Sequence, residues 1–148
     1  MSNPQLGGLP GISAEEVNQD TAPILKTTQG MVELGITIQA DSEDAANTGK
    51  ETTLLKGLVL IRIETGADAG KYAPADHGDV PASNAVVQAA ILQHDIKMVL
   101  ADGSTVVDRN VSALVGGVFD EDELNFVDSN YRDGAVAAMP LAMFIAAP

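Results

Sequence analysis

Cysteine is absent from the 148-residue chain, so it holds no disulfide, no thiolate metal site and no cysteine nucleophile, and cysteine usage points to no redox compartment. Aromatic side chains are scarce as well: two tyrosines, three phenylalanines and no tryptophan, 3% of the chain. Small-molecule pockets and base-stacking platforms lean on aromatics, and both are poorly provided for here. Basic residues are few, 8 Lys and Arg against 21 Asp and Glu, for a formal net charge of −13. Such a surface repels phosphate, and nucleic-acid binding rests on lysine and arginine displacing counterions, so no nucleic acid and no anionic membrane is an expected partner. Long apolar runs are missing too. The C-terminal AVAAMPLAMFIAAP is interrupted by Pro140 and falls short of the roughly 20 residues of a membrane span, so it is expected to bury in the protein's own core or against a partner chain. The opening MSNPQLGGLPG has neither a basic nor an apolar signal region, and synthesis in a cytoplasm is expected.

What is present is an ordinary 45% share of hydrophobic residues, which must form a core from Val, Ile, Leu, Ala and Met. The length suits one compact domain with an irregular arm. Residues 1–30 carry Pro4, Pro10 and Pro23, paired glycines and no sustained period of 2 or 3.6, although Ser13-Ala14-Glu15-Glu16 could open one helical turn. The same segment is dotted with Leu6, Leu9, Ile12, Val17, Ile24 and Leu25, more apolar than a solvating tail. It reads as a flexible arm that needs another surface. Residues 31–148 read as a β-rich domain. MVELGITIQA alternates at period 2, and GLVLIRI places Leu58 and Leu60 on one face and Val59, Ile61 and Ile63 on the other, so both faces are covered. KYAPAD reads as a short edge-like strand because Pro74 cannot donate to a ladder. AVVQAAILQHDI fits a strand or a helix by pattern, and its short apolar run, bounded by Pro81 and a charged end, favours the strand; KMVLADGSTVVD reads as a hairpin with a tight primed turn at Asp102-Gly103, and VSALVGGVFD as a strand with a bulge or close approach at Gly116-Gly117. A short helix is expected within EDELNFVDSNYRDGAVAAM. The fold class is therefore mostly β (α+β), with one or two short helices and an extended N-terminal arm.

Candidate chemistry is thin. His77 and His94 are the only imidazoles and form no close ligand pair; His94-Asp95 could orient an imidazole, but no nucleophile is nominated to use it. DSNYRDG departs from a calcium loop where Arg132, Asp133 and Met139 would have to serve, and Asp120 to Glu123 reads as a solvated acidic turn. GGLPG lacks the lysine of a phosphate loop, and Asn110-Val111-Ser112 is a sequon of a kind common by chance. The residues read as a non-enzyme, with no catalytic group, no metal site and no cofactor.

Taken in order, MVELGITIQA, LLKGLVLIRI with its glycine at the start of the strand, the loop closing on GKYAPAD, AVVQAAILQHDI and SALVGGVFDEDEL resemble the head-decoration proteins of lambda-like tailed phages, over about residues 31–127. The resemblance implies a non-enzymatic capsid cement protein: a homotrimer at local threefold positions on the outer surface of the expanded head, bound to the major capsid protein and holding the shell against internal DNA pressure. It implies an arm that orders on the capsid, with Leu6, Leu9, Ile12, Pro23, Ile24 and Leu25 as capsid contacts and residues 22–28 adding a strand to a capsid sheet. It also makes Tyr72 part of the domain wall, its hydroxyl turned to a polar partner, and not a ligand contact. The alternative is a β-domain binding module of a phage tail, fibre or surface assembly. A small hydrolase or metal enzyme would require the fold to gather His94, Asp95 and distant hydroxyls.

Overall fold

The structure is a computed structural model and describes residues 24–146. Over these described residues it is mostly β, with one large mixed sheet and one short α-helix. In chain order the strands are β1 (Leu25–Ile38), β2 (Thr53–Leu54), β3 (Val59–Arg62), β4 (Tyr72–Pro74), β5 (Ala89–Leu92), β6 (Ile96–Lys97), β7 (Arg109–Asp120) and β8 (Leu141–Ile145); the helix α1 is Arg132–Ala137. The large sheet runs β1-β4-β3-β5-β7-β8, and β1 also pairs with β7, so five strands form a closed circuit with β8 appended. The closure is made at one point, where β1 meets β4 in parallel at Ile38 opposite Tyr72 and the Gln39 amide donates to the Tyr72 carbonyl at 2.9 Å.

Side chains alternate across a strand, so a run that is apolar throughout must be covered on both faces. β3 and β5 are such runs, and the core accordingly divides in two. One cluster takes side chains from every strand of the circuit: Ile36 and Ile38 of β1, Leu60 of β3, Tyr72 of β4, Ala90 and Leu92 of β5 and Ala113 of β7, joined by Leu54 and Met98. That is the interior of the closed sheet. The other cluster lies on the outer face of β3, β5 and β7, where Val59, Ile61, Ala89, Ile91, Leu114 and Phe119 are covered by Ala135 and Met139 of the α1 region and by Ile24 and Leu25. Tyr131 fastens this cover by donating its hydroxyl to the Pro81 carbonyl at 2.7 Å. Phe144 of β8 stacks on Phe119 with ring centroids 5.4 Å apart.

Three expectations change. Ile24 and Leu25, expected on a mobile arm as capsid contacts, are 1% and 6% exposed and complete the outer cluster. Leu25 and Thr27 pair with Phe119 and Val118 of β7, so the described part of the segment expected to join a capsid sheet already belongs to this one. The physical reason is that Gly30, with φ of +77°, is accommodated as an irregularity within β1 and does not end it. Leu6, Leu9, Ile12 and Pro23 lie outside the described residues. β4 is no edge: it has β3 on one side and β1 on the other, and Pro74 sits at the end of the β3 ladder, opposite Leu60.

The Asp102-Gly103 turn is the third. Only Gly103 takes a positive φ, +80°, and a single bridge, Val99 to Val106, flanks it. The turn is held by the Asp102 carboxylate, which accepts from the Ser104 and Thr105 amides and from the Thr105 hydroxyl. Those bonds, the hydroxyl first, hold its pKa down at about 2. A depressed carboxylate stabilises the turn above its ordinary titration range and loses that effect as pH falls through about 2. Amide exchange at Ser104 and Thr105 is therefore expected to stay slow from neutral pH down to pH 4, and to speed up at neutral pH in Asp102→Ala; equal exchange in the two proteins would remove the carboxylate from the turn.

Candidate interaction surface

Few side chains here are arranged for chemistry. The Asp128 carboxylate accepts from the Asn130 amide and caps the 3-10 turn Ser129–Tyr131. Asp120 caps the turn Glu121–Glu123 and pairs with Lys26 at 3.4 Å. Glu121 takes a two-pronged bond from Arg132, at 2.7 and 3.1 Å, which raises the guanidinium's pKa further and ties α1 to that turn. The acidic run is thus a set of turn caps and helix ties. His77 accepts from the Asp79 amide through Nδ1 at 3.2 Å, and Asp95 accepts from the Lys56 amide at 2.9 Å. No group of three or more His, Asp or Glu side chains stands ready to hold a metal among the described residues. Asn110 of the sequon accepts from the Thr37 hydroxyl at 2.7 Å across β1 and β7. A groove over the same two strands is lined by Gly35, Ile36, Thr37, Asn110, Val111 and Ser112, and none of these side chains ionises near neutral pH.

Tyr72 is buried in the interior cluster beside its cross-strand partner Arg62. Burial pushes the phenol's pKa up, against the pull of the neighbouring guanidinium. Arg62 itself is held by Glu64 at 2.7 Å, which raises its own pKa. The first aromatic residue of the sequence therefore fills the inside of the sheet and turns its hydroxyl toward a cation, as a wall residue does.

The feature that stands out is β8. Its side chains alternate: Ala142 and Phe144 pack on the outer cluster, while Leu141, Met143 and Ile145 face solvent at 64%, 59% and 41% exposure. β8 runs parallel to β7, with Gly116 opposite Leu141, Val118 opposite Met143 and Asp120 opposite Ile145. A parallel pair normally needs a crossover connection, and α1 with the turns before it supplies one. The apolar C-terminal stretch thus serves twice, one row of side chains in the core and the next row outside it. Sequence reasoning found the stretch as apolar but assigned it no strand; its division into two rows comes from its pairing with β7. Against known proteins the chain finds no counterpart: no family model, no curated protein and no solved structure matches it.

Proposed function

We propose that this protein is a structural decoration protein of a tailed-phage head, binding the outer surface of the expanded shell as a trimer through contacts with the major capsid protein. The observation that carries the reading furthest is the pairing of a body whose interior is filled by its own side chains with an exposed apolar strand face, Leu141, Met143 and Ile145. That is the form of an assembly component, and the order of sequence features across residues 31–127 supplies the kind of assembly. Three binding sites on one trimer make the second and third attachments effectively intramolecular, so modest contacts sum to tight binding. A trimer that prefers the expanded lattice stabilises that lattice by mass action. On this reading the capsid contacts of the N-terminal segment are Leu6, Leu9, Ile12 and Pro23, with Ile24 and Leu25 now assigned to the core.

The test is co-sedimentation with purified expanded and unexpanded heads that lack this protein. Saturable binding to expanded heads alone is expected, reduced at least about tenfold, the effect of about 1.4 kcal/mol, when residues 1–23 are removed. Equal binding to both head forms, or none, sinks the reading; full binding by the truncated chain sinks the anchoring role of Leu6, Leu9, Ile12 and Pro23. Formation of fibres or hexamers in place of capsid-bound trimers would favour the tail or fibre module.

A further inference from the structure

We infer that the outward face of β8 is the surface through which copies of this chain associate. The inference rests on the trimeric reading above, which leaves the contact between copies unassigned, and deepens it. Leu141, Met143 and Ile145 are fixed in direction because the alternate residues Ala142 and Phe144 are anchored in the outer cluster. On β7 beside them, Gly116 carries no side chain, and Val32 of β1 and Leu141 close over it: a Cβ added at Gly116 would lie 2.9 Å from the Val32 Cβ and 3.0 Å from the Leu141 Cβ. Val118, opposite Met143 and only partly buried, continues the row. The face is therefore an apolar strip on β7 and β8, with Val32 of β1 beside Leu141 at one end and the Lys26–Asp120 ion pair at the other.

Charge selects the occupant. Each copy carries −13, so two copies approaching through most of their surface repel one another. Residues 134–148 contain no Asp, Glu, Lys or Arg, and the strip they help to form is where a like-charged copy meets no repulsion. A basic partner would be drawn to the acidic surfaces and would gain nothing electrostatic from this one. The strip is neutral at its centre and polar at its rim, as the faces that join subunits are.

The experiment is sedimentation velocity of the full chain, of Met143→Glu, of Leu141→Glu with Met143→Glu, and of Leu55→Glu, which alters an exposed leucine on the loop after β2. The native chain and Leu55→Glu are expected to be trimers. Met143→Glu is expected to weaken association by about 100-fold or more, since it buries an unpaired charge, and the double variant to be a folded monomer with an unchanged circular dichroism spectrum. A native monomer overturns the inference, as does a double variant that remains trimeric. A native monomer that associates only once residues 1–23 are removed overturns it too, and places the chain's own segment on the face. Should the charged variants unfold, Met143→Gln decides: association weakened about tenfold upholds the inference, and unchanged association refutes it. Head binding is read separately. Trimers that survive the double substitution and bind heads refute this interface and leave decoration standing, whereas trimers lost on substitution in a chain that never binds heads uphold the interface and refute decoration.

Discussion

Ile24→Asp is expected to unfold the domain outright at 37 °C. Ile24 is 1% exposed, its carbonyl accepts from the Asp120 amide at 2.8 Å, and its side chain lies in the outer cluster with Phe119 and Met139. Losing the buried isoleucine costs roughly 1.5–3 kcal/mol. Burying a carboxylate without a partner adds several kcal/mol more, or forces it to take up a proton. Together these amount to about 5 kcal/mol, comparable with the whole stability of a small domain. Thermal and urea unfolding check it. The expected result is a chain unfolded in buffer or with its melting temperature lowered by tens of degrees; a native-like melt would return Ile24 to the arm. A variant lacking residues 1–23, by contrast, is expected to melt close to the full chain, because it keeps Ile24, Leu25 and every strand of the described sheet.

Gly57→Ala is expected to cost about 3 kcal/mol, for two reasons that add. Gly57 has a φ of +91°, where a side chain adds roughly 1–3 kcal/mol of strain. Its added Cβ would also lie 2.6 Å from the Glu123 carbonyl oxygen, which is backbone and cannot swing aside, and 3.3 Å from the Ile24 Cγ2. The crowding follows from position: the Gly57 amide donates to the Leu92 carbonyl at 2.8 Å and its carbonyl accepts from the Asn125 amide at 2.9 Å, so the chain after β7 is laced directly over the start of β3. Gly49→Ala is the control. Its φ is +84° but nothing lies within 4 Å of the added Cβ, so only the conformational part, about 1 kcal/mol, is expected. Urea denaturation of both separates the terms; equal losses would mean that the contact with Glu123 contributes nothing.

How far the sequence carried the fold depends on the reach of the interactions involved. The two covered faces of β3 were legible because alternation is local: Leu58 and Leu60 entered the interior cluster and Val59 and Ile61 the outer one, as the run implied. The irregularity at Gly116-Gly117 was legible for the same reason, since glycine permits both the +134° φ at Gly117 and the close approach of Val32 and Leu141 at Gly116. The short helix near the C-terminus was also foreseen, and it is α1. The closure of the sheet was not, because it depends on one contact between Ile38 and Tyr72, far apart in the chain, and no local pattern encodes which edges meet. The burial of Ile24 and Leu25 was not legible, because Pro23 and Gly30 bracket them like loop residues. What decides their burial is the apolar surface that Phe119 and Met139 leave open, a tertiary cause that overrides local signals. The exposed row of β8 was half legible: apolar content announced that something must cover it, but only pairing with β7 shows which side chains are left outside.

The central claim, that this chain decorates an expanded head as a trimer, is tested most directly by electron cryo-microscopy of expanded heads incubated with the purified protein. The account predicts added density at the local threefold positions, each composed of three copies that meet through Leu141, Met143 and Ile145. Heads without added density, or density that is not threefold at those positions, would contradict it.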